Sequence, residues 1–97
     1  MFASCEKIED DKNLTLIYER LSALAHPTRL KIVCALKDQE YSVKEIVRSV
    51  GGSQSNISQQ LKILTFSRIL SRRKSKNHVY YSVKDPQVMH LLEVLSN

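Results

Sequence analysis

The stretch that most constrains this chain runs from Ser42 to Leu64, where two amphipathic helical patterns meet at a pair of glycines. Ser42 stands three residues before Glu45, the spacing at which a hydroxyl and a carboxylate cap a helix start reciprocally, and Val43, Ile46, Val47 and Val50 form one apolar stripe behind them. Gly51 and Gly52 break that helix. A second helix starts from a cap at Ser53 or Ser55 and repeats Ile57, Leu61 and Leu64 at i, i+4 and i+7, which pins one side to a core. Its other side carries Gln54, Ser55, Asn56, Ser58, Gln59, Gln60 and Lys62: amides, hydroxyls and one cation, with no carboxylate. Such groups pair with base edges and phosphate oxygens, and a helix-turn-helix lays the start of its second helix in the major groove. The expectation is a surface that reads double-stranded DNA, with Ser53 at its leading end.

Charge placement agrees with that expectation. Between Glu45 and Asp85 the sequence has no acidic residue and eight cations, so this segment carries +8 while the remainder carries −3, within a net +5. A basic half beside a mildly acidic half suits a polyanion on one face and something else on the other. With 97 residues the chain makes one domain, 1-97, whose small core is only marginally self-sufficient, so a self-associating surface is expected. No apolar run approaches the ~18 residues of a membrane span, and the start, with Cys5, Glu6, Glu9, Asp10 and Asp11, lacks the basic and apolar regions of a signal peptide. A cytoplasmic protein without membrane contact is expected. Two cysteines, Cys5 and Cys34, are too few and too far apart for a disulfide framework or a Cys-x-x-Cys zinc site, and both are read as free thiols.

Taken in order, residues 1-10 read as a flexible polar arm. Leu14, Ile17, Tyr18, Leu21 and Leu24 follow helical spacing and predict a helix over about 11-25. Pro27 suits the first turn of the next helix, where its missing N–H costs nothing, and that helix should end near Lys37, with Asp38, Gln39 and Glu40 connecting to the helix pair of 42-66. After Leu64 the apolar period shifts toward two. Residues 68-84 read as a two-stranded wing, with strands Ile69 to Arg73 and His78 to Val83 joined by Lys74, Ser75, Lys76 and Asn77 as the turn. Arg72, Arg73, Lys74, Lys76 and His78 would let this wing follow a phosphate backbone or reach into the minor groove. Asp85 as cap and Pro86 at the first position start a last helix, 86-96, with Val88, Met89, Leu91, Leu92, Val94 and Leu95. That is more apolar surface than one stripe needs. The surplus predicts a homodimer joined through Leu14, Ile17, Tyr18 and Leu21 of the first helix and Met89, Leu92 and Leu95 of the last. The fold class is mainly α with a small β-hairpin, about five helices and a two-stranded wing.

The succession from Leu21 to Ile32, through the helix pair and the run Ser53 to Leu64, to a basic hairpin ending Val79 to Val83 and a final helix, resembles the ArsR/SmtB family of winged-helix repressors over about residues 14 to 95. The resemblance implies a homodimeric winged helix-turn-helix repressor on an imperfect inverted repeat, released when a metal, metalloid or sulfur species changes its conformation. It places Gln54, Ser55, Asn56, Ser58, Gln59 and Gln60 on the recognition helix and Arg72, Arg73, Lys76 and His78 on the wing. Arg68 departs from the family, whose members usually have glycine there; an ordinary dihedral, with the helix ending differently, is expected.

The family's sensor positions are mostly unfilled. Where metal-sensing relatives have two cysteines, this chain has Ser42 and Lys44, a hydroxyl and an ammonium in place of soft thiolates. Asp85 matches a zinc-site aspartate, but Gln87 replaces its histidine, and one carboxylate cannot hold zinc in a four-ligand site; His90 is read as an ordinary helix residue. No metal and no cofactor are expected. Cys34 has a position similar to that of a reactive cysteine in the subgroup sensing oxidants or reactive sulfur, the subgroup nearest this chain, and Cys5 is the one candidate partner thiol. A thiol switch through Cys5 and Cys34 is therefore carried beside the plainer reading of Cys34 as a small apolar residue. Two rival functions would leave different signatures. A winged helix that binds an acidic protein would show no preference among duplexes. An enzyme would need a nucleophile with its base, a metal cluster or a phosphate-cradling loop, and none has a motif here, so no catalysis is expected.

Overall fold

The computed structural model describes residues 10–96. Helix α1 (Asp11–Leu24) and α2 (Pro27–Ala35) lead into a two-residue strand β1 (Tyr41–Ser42), the helix pair α3 (Val43–Val50) and α4 (Gln54–Phe66), the hairpin β2 (Leu70–Ser75) and β3 (His78–Val83), and α5 (Pro86–Leu95). Each helix starts where a side chain can satisfy its first amides. Asp10 caps α1, the His26 imidazole accepts from the Thr28 amide at 3.2 Å ahead of Pro27, and Asp85 accepts from the Gln87 amide at 2.9 Å ahead of Pro86. The capping box of α3 is complete: the Ser42 amide donates to Glu45 at 2.9 Å and the Glu45 amide to the Ser42 hydroxyl at 3.4 Å. Of the two candidate caps for α4, Ser53 is the one used, accepting from the Asn56 amide at 3.1 Å. Gly51 and Gly52 turn the corner between α3 and α4 at φ 88° and 91°, a region that side chains avoid.

The apolar stripes converge as their spacing requires. Ile57, Leu61 and Leu64 of α4 are fully buried with Ile46 of α3, Ile32 and Val33 of α2, and Ile69 at the foot of the hairpin. Each such side chain contributes about 1.5–3 kcal/mol of burial. Ala23 and Leu24 of α1, Leu36 after α2, Leu70 of β2 and Val88 of α5 complete this core.

Three expectations are corrected. The sheet has three antiparallel strands in the order β1-β3-β2, because Tyr41 pairs with Tyr81 and Ser42 with Tyr80. A two-residue strand has no periodicity to read; its partner defines it. The hairpin is also longer than expected: Lys74 pairs with Val79 and Ser75 with His78, so the turn is Lys76 and Asn77 alone. Lys74 and Ser75 are polar because the hairpin projects past the core, where both faces are wet, and that polarity imitated a turn. Third, Arg68 does not keep an ordinary dihedral but adopts φ 63°. Cys5, the remainder of the arm before Asp10, and Asn97 lie outside the described residues.

Candidate nucleic-acid interface

At 100° per residue, Ser55, Gln59, Lys62 and Phe66 fall along one line of α4, opposite Ile57, Leu61 and Leu64. The structure agrees: Gln54, Ser55, Asn56, Ser58, Gln59 and Lys62 are exposed, and Gln60 is half-buried. Gln60 donates its amide to the Asn56 side-chain oxygen at 3.2 Å, so these two amides are ordered as an i, i+4 pair before any ligand arrives. The Ser53 hydroxyl accepts the Asn56 amide in the cap and keeps its proton to donate.

Strand alternation splits the wing's cations between two faces. Arg72 and Lys74 share a face with Leu70, which is buried, and so stand on the side of α4. Arg72 lines a groove of about 450 Å³ with Ser58, Lys62, Thr65 and Phe66 of α4 and Tyr81 of β3. Ser58, Lys62 and Arg72 are therefore brought together. Arg73 is not. It faces the other way, lies over the Tyr80 ring with its guanidinium carbon 5.0 Å from the centroid, and gives Nε and Nη2 to the two Glu40 carboxylate oxygens at 2.9 and 2.8 Å. The Arg73 hydrogen bond lowers the Glu40 pKa, and Glu40 in turn raises that of Arg73, so both groups are held charged. His78 belongs to the Arg73 side, with its ring centroid 6.2 Å from that of Tyr80. Lys74 and Lys76 are exposed at the tip.

Glu40, Tyr80 and Phe66 were missed by sequence reading. Phe66 is 89% exposed, and its signal was an aromatic one turn beyond Lys62 on an otherwise polar line. Glu40 had no such signal, since it meets Arg73 across 33 residues.

The other expected sites are dispersed. Cys34 is exposed on α2, and Cys5 lies outside the described residues. Among the described residues no three His, Cys, Asp or Glu side chains gather as metal ligands, and no helix is long and apolar enough to cross a membrane. On α1, Leu14, Ile17, Tyr18 and Leu21 are exposed, as is Leu95 on α5, whereas Met89 and Leu92 are half-buried against the core of their own chain.

A helix pair behind a polar recognition helix, with a basic hairpin beside it, defines a winged helix-turn-helix protein. Comparison with known proteins carries this further. Residues 26–72 match the bacterial regulatory protein, arsR family. The biofilm growth-associated repressor of Xylella fastidiosa is 32% identical over 85 residues, covering 88% of this chain and 75% of the relative. The transcriptional activator HlyU of Vibrio cholerae is 34% identical over 87 residues, covering 90% and 81%. The crystal structure of NolR from Sinorhizobium fredii superposes with a TM-score of 0.80 at 35% identity, covering 91% of this chain and 88% of that one. The chain belongs to the ArsR family and is a transcriptional regulator of the DNA-binding winged helix-turn-helix type.

Proposed function

We propose that this chain is a homodimeric repressor that binds an imperfect inverted repeat in double-stranded DNA. The observation that carries the reading is the acid-free groove in which Ser58 and Lys62 of α4 meet Arg72 of the wing. In this reading Gln54, Ser55, Asn56, Gln59 and Gln60 select sequence in the major groove, while Lys62, Arg72, Lys74 and Lys76 neutralise phosphates. Ser53 and Ser58 donate hydroxyls to the backbone, and His78 flanks the wing. The exposed apolar stripe of α1, with Leu95 of α5, supplies the twofold contact, and two copies read half-sites about 10 base pairs apart. Occupying a promoter is enough to repress; activation needs a further surface for the transcription machinery. Among the relatives, the Xylella protein is described as a repressor and HlyU as an activator.

Selection of tight-binding duplexes from a randomised pool, followed by titration of the selected and a scrambled duplex, tests the reading. A dyad-symmetric selected sequence with one dimer per duplex supports it. Equal affinity for every duplex, or none, favours the protein-binding winged helix instead.

The inducer reading is thiol oxidation. Loss of two protons and two electrons from Cys34 and Cys5, both passing to a peroxide to give water or to a polysulfide to give a shorter one and hydrogen sulfide, would join Cys34 on α2 to Cys5. The exposure of Cys34 supports access by an oxidant. Mass spectrometry after mild oxidant or polysulfide treatment checks it: two free thiols with unchanged DNA binding would remove this part.

A further inference from the structure

Two adjacent arginines on the wing, Arg72 and Arg73, have opposite surroundings. Arg72 opens onto the groove beside α4. Arg73 is held on the far face by three contacts at once: a two-point fork to Glu40, a ring of Tyr80 beneath its guanidinium, and its place in the ladder opposite Tyr80. The ladder explains the geometry. Tyr80 pairs with Ser42 on one side and with Arg73 on the other, so a side chain from β2 that crosses the Tyr80 ring arrives at the residues just ahead of β1, where Glu40 stands.

We infer that Glu40 sets which wing arginine meets DNA: it sequesters Arg73, leaving Arg72 to make the phosphate contact. The inference rests on the DNA-binding reading above and deepens it. Solvent screening limits what an exposed ion pair adds to folding stability. The effect of this pair is on charge. An arginine that enters a complex already neutralised by a carboxylate displaces few of the counterions condensed on DNA, whereas a free one displaces about one. Without Glu40, Arg73 would add sequence-independent attraction to every duplex and dilute the discrimination supplied by α4. Glu40 thus acts as a positioning residue that lowers non-specific affinity in favour of specific binding.

Salt titrations of duplex binding by the full chain test this, each variant first checked for an unchanged thermal transition. In a plot of log affinity against log salt concentration, Arg72→Ala should flatten the slope by about 0.9 per protomer. Glu40→Gln should steepen it by about 0.9 per protomer, tighten binding to a scrambled duplex several-fold, and reduce preference for the selected one. The double variant Glu40→Gln/Arg73→Ala should return to the wild-type slope, which a merely structural role for Glu40 would not produce. A double variant with a flatter slope than the wild type, or an unchanged slope in Glu40→Gln, would overturn the inference while leaving the DNA-binding reading intact. A wild-type chain that binds no duplex would remove that reading instead.

Discussion

The Ile69 amide donates to the Leu64 carbonyl at 3.0 Å, closing the end of α4 across Arg68, whose own amide reaches the Thr65 carbonyl at 3.0 Å. This pair of bonds, with both Leu64 and Ile69 fully buried, is a Schellman ending, and it requires the residue between them to turn left-handed. Arg68 does so at φ 63°, although it carries a Cβ. The buried contact and two satisfied carbonyls outweigh the local strain.

That strain can be removed. Arg68→Gly should raise the unfolding free energy by about 0.5–1 kcal/mol, the relief of the left-handed conformation less the extra freedom of glycine in the unfolded chain. Arg68→Val, β-branched at a positive φ, should lower stability. Urea unfolding of the three proteins checks both signs, and a less stable glycine variant would show that Arg68 makes a compensating contact.

The cap of α3 makes a second prediction. Ser42→Ala should cost about 1 kcal/mol, a fall of about 5 °C in Tm for a domain of this size. The partner residue brings a pH dependence. The Ser42 amide, and then its hydroxyl, lower the Glu45 pKa from the ordinary carboxyl value of 4.5. A depressed folded-state value means that this contribution is complete above pH 4.5 and is lost as pH falls through the lower folded value. Stability measured against pH should therefore drop below that point, and less steeply in Glu45→Gln.

The two faces of α4 should separate by substitution. Leu61→Ala opens a cavity in a fully buried site and should cost about 2–5 kcal/mol of stability. Gln59→Ala, on the exposed line, should change stability by less than about 0.5 kcal/mol, yet lower discrimination between selected and scrambled duplexes by about 1–3 kcal/mol. Paired melting and binding measurements decide it: a destabilised Gln59→Ala, or one with full discrimination, contradicts the assignment of that face.

The exposed stripe on α1 is tested by charge. Tyr18 is 71% exposed in the single chain and Leu14 shares its face, so Leu14→Glu/Tyr18→Glu should leave the monomer fold intact. Sedimentation should show the mass falling from two chains to one, with weaker DNA binding because the half-sites are no longer joined. An unchanged mass would place the twofold contact elsewhere.

What the amino-acid order settled by itself was local. Helix starts at Ser42 and Asp85, the glycine corner and the buried side of α4 each depend on groups within about one helical turn, so a short window contains both partners of every bond. The polar line from Ser55 to Lys62 was legible for the same reason. Tertiary structure decided the rest. Tyr41 and Ser42 become a strand only because β3 offers them partners, and Arg68 turns left-handed because the Leu64–Ile69 contact demands it. The division of Arg72 from Arg73 needed both levels. Strand alternation sends them to opposite faces, but only folding brings Glu40 across 33 residues to hold one and leave the other open. Pairing at that separation depends on how strands and helices are laid together, a geometry no local pattern contains.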